Sequence, residues 1–114
     1  MRATTKGKVR QQLEEKLAGL PFVTRRPSRY PHGSAFFVGK REIAHFHSDG
    51  ALDVRLTKAL IVRQASRLKG IIHATERRQL GKSNWLVLDV DKAGPEEIAN
   101  LVLRAVEANS KEHP

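Results

Sequence analysis

The chain predicts an α+β fold: one antiparallel sheet with helices packed on one face, in the order α-β-β-β-β-α-β-β-α. Three observations predict it. Both ends carry apolar residues at helical spacing, and the stretch between residues 34 and 56 alternates with a period of two around glycine-containing turns. The length of 114 residues suits a single core, so the whole chain is expected to be one domain, with its ordered part at about residues 7–109 and loose tails at 1–6 and 110–114. Antiparallel strands flanked by helices bury best with the helices gathered on one sheet face.

Val9, Leu13 and Leu17 recur every fourth residue and predict an amphipathic helix over 7–18, which Gly19 closes and Pro21 prevents from continuing. Phe22–Arg26 reads as a strand, broken by Pro27 and Pro31. Ser34–Val38 and Arg41–His47 flank Gly39-Lys40, and Leu52–Leu56 follows Asp49-Gly50, a strong short-range hairpin signal. Taken as a two-residue turn, Asp49-Gly50 sets Ser48 opposite Ala51, His47 opposite Leu52, His45 opposite Val54 and Ile43 opposite Leu56. One face then carries Ile43, His45, His47, Leu52, Val54 and Leu56, joined by Ser34 and Phe36. The other carries Glu42, Ala44, Phe46, Asp53 and Arg55. Thr57 caps a helix over 58–68 whose stripe is Leu60, Ile61, Gln64, Ala65 and Leu68. Ile71–Arg77 and Asn84–Val90 read as a strand pair around Gly81-Lys82-Ser83. Gly94-Pro95-Glu96-Glu97 then starts a last helix, with proline at its first position and two acids at the positive end of the dipole. Ile98, Leu101, Val102 and Ala105 carry its apolar face to about Asn109.

Composition narrows the function classes. The absence of cysteine excludes a disulfide framework, a thiolate metal site and a cysteine nucleophile. The charged N-terminus lacks the apolar run of a signal peptide, and no stretch approaches the ~20 apolar residues of a membrane span, so a cytoplasmic protein without a membrane partner is expected. The net charge of +9 is uneven: residues 1–41 hold ten Lys/Arg against only Glu14 and Glu15, whereas residues 42–114 are nearly balanced. A basic third of this kind suits a polyanion, or serves only as a solvated, solubilising surface.

His45-Phe46-His47 is the most suggestive cluster, because alternation sets both imidazoles on one side of a strand, their Cβ atoms ~6–7 Å apart. A metal site needs at least three protein ligands. Asp49 and His32 are the residues within reach, Asp53 is assigned to the opposite face, and so no metal is assigned. General acid–base chemistry pairs His45 or His47 with Asp49 or Glu42, but no nucleophile, phosphate-binding glycine loop or metalloprotease motif accompanies them. Arg25, Arg26 and Arg29, with Tyr30, Lys40 and Arg41, form the candidate nucleic-acid surface. Trp85 reads as packing. A third reading is a homodimer formed through an uncovered Phe37/Phe46 patch.

The segment from Pro31 to Thr57, with its R-E-x-x-H-x-H run followed by Asp49-Gly50, resembles the luciferase-domain family of short bacterial and fungal proteins. The matching positions are Arg41, Glu42, His45, His47, Asp49, Gly50, Asp53, Arg55 and Leu56. The resemblance spans about residues 7–109. By element order alone the chain is also similar to the MmcQ/YjbR-like, frataxin-like fold. The resemblance implies a small domain with polar groups beside its strands, and no particular cofactor or reaction. Together with the histidine pair, it points to a small polar or anionic ligand held by Glu42, His45, His47, Asp49, Asp53 and Arg55. The protein is expected as a monomer or a homodimer.

Overall fold

The structure, a computed structural model, describes residues 4–27, 34–47 and 51–111. Its helices are α1 (Thr4–Ala18), α2 (Lys58–Arg63), α3 (Ala65–Leu68), α4 (Val90–Ala93) and α5 (Pro95–Lys111). Its strands are β1 (Thr24–Pro27), β2 (Ser34–Val38), β3 (Arg41–Phe46), β4 (Leu52–Arg55) and β5 (Trp85–Leu88). The five strands form one sheet in the order β1-β2-β3-β4-β5, antiparallel throughout, so that each strand pairs with its neighbour in sequence.

The two long helices cover one face of this sheet. Leu13 and Leu17 of α1, and Ile98, Leu101, Val102, Ala105 and Val106 of α5, are buried against Phe36, Ala44, Phe46, Val54, Leu86 and Leu88. The helical stripe of period 3.6 thus meets the strand residues of period two. Asn109 extends the α5 stripe as a fully buried polar residue. Its amide donates to the carbonyls of Arg55 (2.9 Å) and Ala105 (2.7 Å), and its oxygen accepts from Arg55 Nε at 2.8 Å. Every polar atom of that side chain is therefore satisfied, as burial requires, and α5 is tied to the end of β4. Thr57 caps α2 as expected, its hydroxyl accepting from the Leu60 N–H.

The β3–β4 register differs from the expected one by a single residue. Ala44 pairs with Val54, His45 with Asp53 and Phe46 with Leu52, and His47 N–H donates to Ala51 O at 2.8 Å. The paired ends are thus joined through the three residues 48–50, not through a two-residue turn. One residue of slip exchanges the faces of β4 relative to β3. Ala44, Phe46, Leu52 and Val54 therefore share the helix-covered face, and His45 shares the opposite face with Asp53. Burial explains the choice: this register places Phe46 edge-to-face against Phe36, ring centroids 6.3 Å apart, under the Arg10 guanidinium. Phe36 pairs with Ala44, and so lies with the core rather than with the histidines. The pairing then slips between Phe36 and Phe37, and Ile43, left without a partner in the register, is buried as well.

This register removes the proposed homodimer surface, since Phe46 is only 1% exposed and Phe37 lies beneath the Arg26 guanidinium. The expected strand over 71–77 is reduced to an isolated bridge. Ile72 bridges to Leu88, Asp89 N–H donates to Ile71 O, His73 N–H donates to Val87 O, and the chain then turns away. Along this edge of β5, the Val87 N–H donates to a side chain, Glu76 Oε2, at 2.7 Å. Among the described residues, no helix is long and apolar enough to cross a membrane.

Candidate functional site

The sheet face away from α1 and α5 carries the polar cluster. His45 lies in β3 and His47 directly after it, both pointing to this face by strand alternation. Their rings stack 5.4 Å apart at 25°. Directly opposite His45, β4 presents Asp53, and in an antiparallel pair opposed residues share a face. Asp53 Oδ2 is 3.3 Å from His47 Nε2 and 3.8 Å from His45 Nε2. A single carboxylate oxygen thus stands before both imidazoles. His45 meets a second carboxylate on its other nitrogen, with Glu42 Oε2 3.1 Å from Nδ1. Trp85 of β5 closes one side, its ring 5.4 Å from that of His45.

The second oxygen of Asp53 is held from the loop that covers β5. Arg78 Nη2 donates to Asp53 Oδ1 at 3.1 Å. Arg78 also donates from Nε to Glu76 Oε1 at 2.9 Å and from Nη2 to Glu76 Oε2 at 3.1 Å. Glu76 accepts two backbone N–H groups besides, from Arg78 and from Val87. Desolvation alone raises the Glu76 pKa, but the Arg78 guanidinium and these N–H donors outweigh it, and the carboxyl is held below the ordinary glutamate range. Burial likewise disfavours the Arg78 charge. Glu76 and Asp53 more than offset it, and the guanidinium is raised further above its already high value. These directions describe a charge-assisted chain, Glu76–Arg78–Asp53, that fixes the Asp53 carboxylate in one orientation.

Exposure rises from the carboxylates to the imidazoles, with Arg78 between the carboxylates 35% exposed. The Glu76 side chain is 2% exposed, Asp53 10%, His45 15% and His47 39%. His47 is therefore the group that a solute meets first, and the carboxylate behind it is anchored. A carboxylate accepts and does not donate, so a neutral His47 facing it through Nε2 carries its proton there. Its Nδ1 is then an acceptor. His45, His47 and Asp53 each offer one ligand atom, all within 4.8 Å of one another.

Of the residues singled out by sequence, Glu42, His45, His47 and Asp53 come together. Asp53, expected on the opposite face, is returned to the histidines by the three-residue connection. Arg55 engages Asn109 of α5. Asp49, His32, Arg29 and Tyr30 lie outside the described residues. Of the basic set, Arg25 and Arg26 are exposed on the edge strand β1, with Arg25 3.8 Å from Glu14, whereas Lys40 and Arg41 flank the start of β3. Glu76 and Arg78 join the site without a local motif that marks them. Their sequence signal, a Glu-x-Arg in an otherwise strand-like run, acquires meaning only through partners 11 and 25 residues away.

The fold and the site together define a small α+β domain with a two-histidine, one-carboxylate cluster on the open face of its sheet. The luciferase-domain family profile matches residues 40–105, which is more than half of the chain and includes every residue of the cluster. The chain belongs to the luciferase-domain family. No curated protein and no solved structure matches it significantly.

Proposed function

We propose that this domain binds a small ligand on the His45/His47/Asp53 face, and that the ligand is a cation or a molecule rich in hydrogen-bond donors. The observation that carries this reading is Asp53, a largely buried carboxylate with one oxygen committed to Arg78 and the other turned towards two imidazoles. The cluster holds three carboxylates (Asp53 itself, Glu42 and Glu76) and one guanidinium, so with neutral imidazoles it is net negative. That balance favours a cation or a donor over the anion allowed by the sequence alone. The His47 acceptor and the partial exposure of its ring support the same choice.

Agmatine, a donor-rich dication, and inorganic phosphate are suitable probes. Titrated into chelator-treated protein by calorimetry, agmatine is expected to bind saturably and phosphate not to bind. Asp53→Asn, which keeps the side-chain shape and removes the charge, is expected to weaken agmatine by at least about tenfold. Preferential binding of phosphate, binding of neither agmatine nor a divalent cation, or undiminished binding by Asp53→Asn would overturn the reading.

A further inference from the structure

We infer that the site takes a first-row divalent metal ion, with His45 Nε2, His47 Nε2 and Asp53 Oδ2 as its protein ligands, the His47 ring proton passing from Nε2 to Nδ1 as the ion binds. This rests on the preceding reading and narrows its ligand to one class. Two imidazoles and one carboxylate are a donor set for zinc and for the facial site of non-haem iron. The separations fit. Ligand atoms at ~2.1 Å from a common ion stand about 3.0–3.4 Å apart at octahedral or tetrahedral angles. Asp53 Oδ2 already stands 3.3 Å from one imidazole nitrogen and 3.8 Å from the other. The whole triad lies within 4.8 Å, so side-chain rotations of about an ångström close it, with no movement of the backbone ladder.

The surroundings fit a metal as well as the ligands do. Metal-binding histidines commonly turn their second nitrogen to a carboxylate, which draws the ring proton there and leaves the ligating nitrogen with its lone pair. His45 has the pieces of this arrangement: Glu42 Oε2 stands 3.1 Å from Nδ1, an ion-pair contact not yet aligned as a hydrogen bond, while Nε2 stands 3.8 Å from Asp53 Oδ2. Arg78 takes the outer oxygen of Asp53, fixing it as a one-oxygen ligand. Its positive charge opposes a cation, but Glu76, in contact with that guanidinium, and Glu42 more than compensate. His47, at 39% exposure, leaves a side of the ion open to solvent or a further ligand.

Cobalt(II) is the probe, added to chelator-treated, tag-free protein above the ordinary imidazole titration range, with zinc(II) as competitor. The expected result is one equivalent of cobalt giving visible d–d absorption that zinc abolishes. Asp53→Asn and His47→Gln are each expected to weaken binding by more than about tenfold, and Glu42→Gln, acting through His45, by about 10–100-fold. His47 is the most exposed member, so His47→Gln keeps the test open should Asp53→Asn fail to fold. Absence of a one-to-one cobalt spectrum overturns the inference, as does a spectrum that survives both ligand substitutions. If agmatine binds and cobalt does not, the metal fails and the site reading stands. If phosphate alone binds, both fail.

Discussion

Phe46→Ala is expected to lower stability by about 3–5 kcal/mol, the range for removing a buried aromatic ring. For a domain of this size that is a fall in Tm of roughly 10–20 °C. The size of the effect follows from the register. With Phe46 opposite Leu52 and Ala44 opposite Val54, the ring is sealed between Phe36, the helices and the Arg10 guanidinium, at 1% exposure. Under the alternative two-residue turn, Phe46 would stand on the face away from the helices, and its truncation would fall within about 1 kcal/mol, as for most surface changes. His47→Ala is the internal comparison, because its side chain is 39% exposed and lies on the other face. Urea denaturation of the two variants reads the register directly. A large loss for Phe46→Ala with a small one for His47→Ala supports the observed pairing, and the reverse pattern refutes it.

Glu76→Ala is expected to cost about 3 kcal/mol, chiefly because it strands partners and not because it removes contacts. The Val87 N–H on the edge of β5 loses the Glu76 acceptor, and Arg78 is left with Asp53 as its ionic partner among the described residues. An unsatisfied buried donor costs about 1–3 kcal/mol, and breaking a buried charge pair about 3–5. The lower end applies because the Arg78 side chain is 35% exposed. The same group sets a pH dependence. The pKa of Glu76 is lowered in the folded state, so its contribution is fully present above the ordinary carboxylate value. It is lost as pH falls through the depressed folded value. Wild-type stability should therefore decline on acidification across and below the ordinary carboxylate range, and Glu76→Gln should flatten part of that decline. Equal acid sensitivity in wild type and Glu76→Gln would remove Glu76 from the account.

Elements whose signals are local were legible in the sequence. The α1 stripe of Leu13 and Leu17, the Thr57 cap and the Gly94-Pro95 start of α5 each depend on residues within one or two turns, and each stands where its chemistry places it. The His45/His47 pairing on one face was equally local, being fixed by alternation. The position of Asp53 was not. Asp49-Gly50 is compatible with a two- or a three-residue connection, and the parity of that choice decides which face of β4 meets the histidines. Only the helices, arriving from both ends of the chain to cover Phe46, settle it. The apolar Phe46 between two imidazoles carried that information. A register chosen to place Phe46 with Leu52 and Val54 would have brought Asp53 to His45. Glu76 and Arg78 were hidden for the same reason, since their partners Val87 and Asp53 belong to strands distant in sequence.

The central claim is that Asp53 stands between the two imidazoles, and histidine nitrogen chemical shifts test it most directly. In metal-free protein above the imidazole titration range, His47 should carry its proton on Nε2, facing Asp53, and His45 on Nδ1, facing Glu42. Asp53→Ala should release His47 towards the tautomer mixture of a free imidazole, leaving Nδ1 of His45 protonated. Two rings already in the free mixture, both unchanged by Asp53→Ala, would contradict the account.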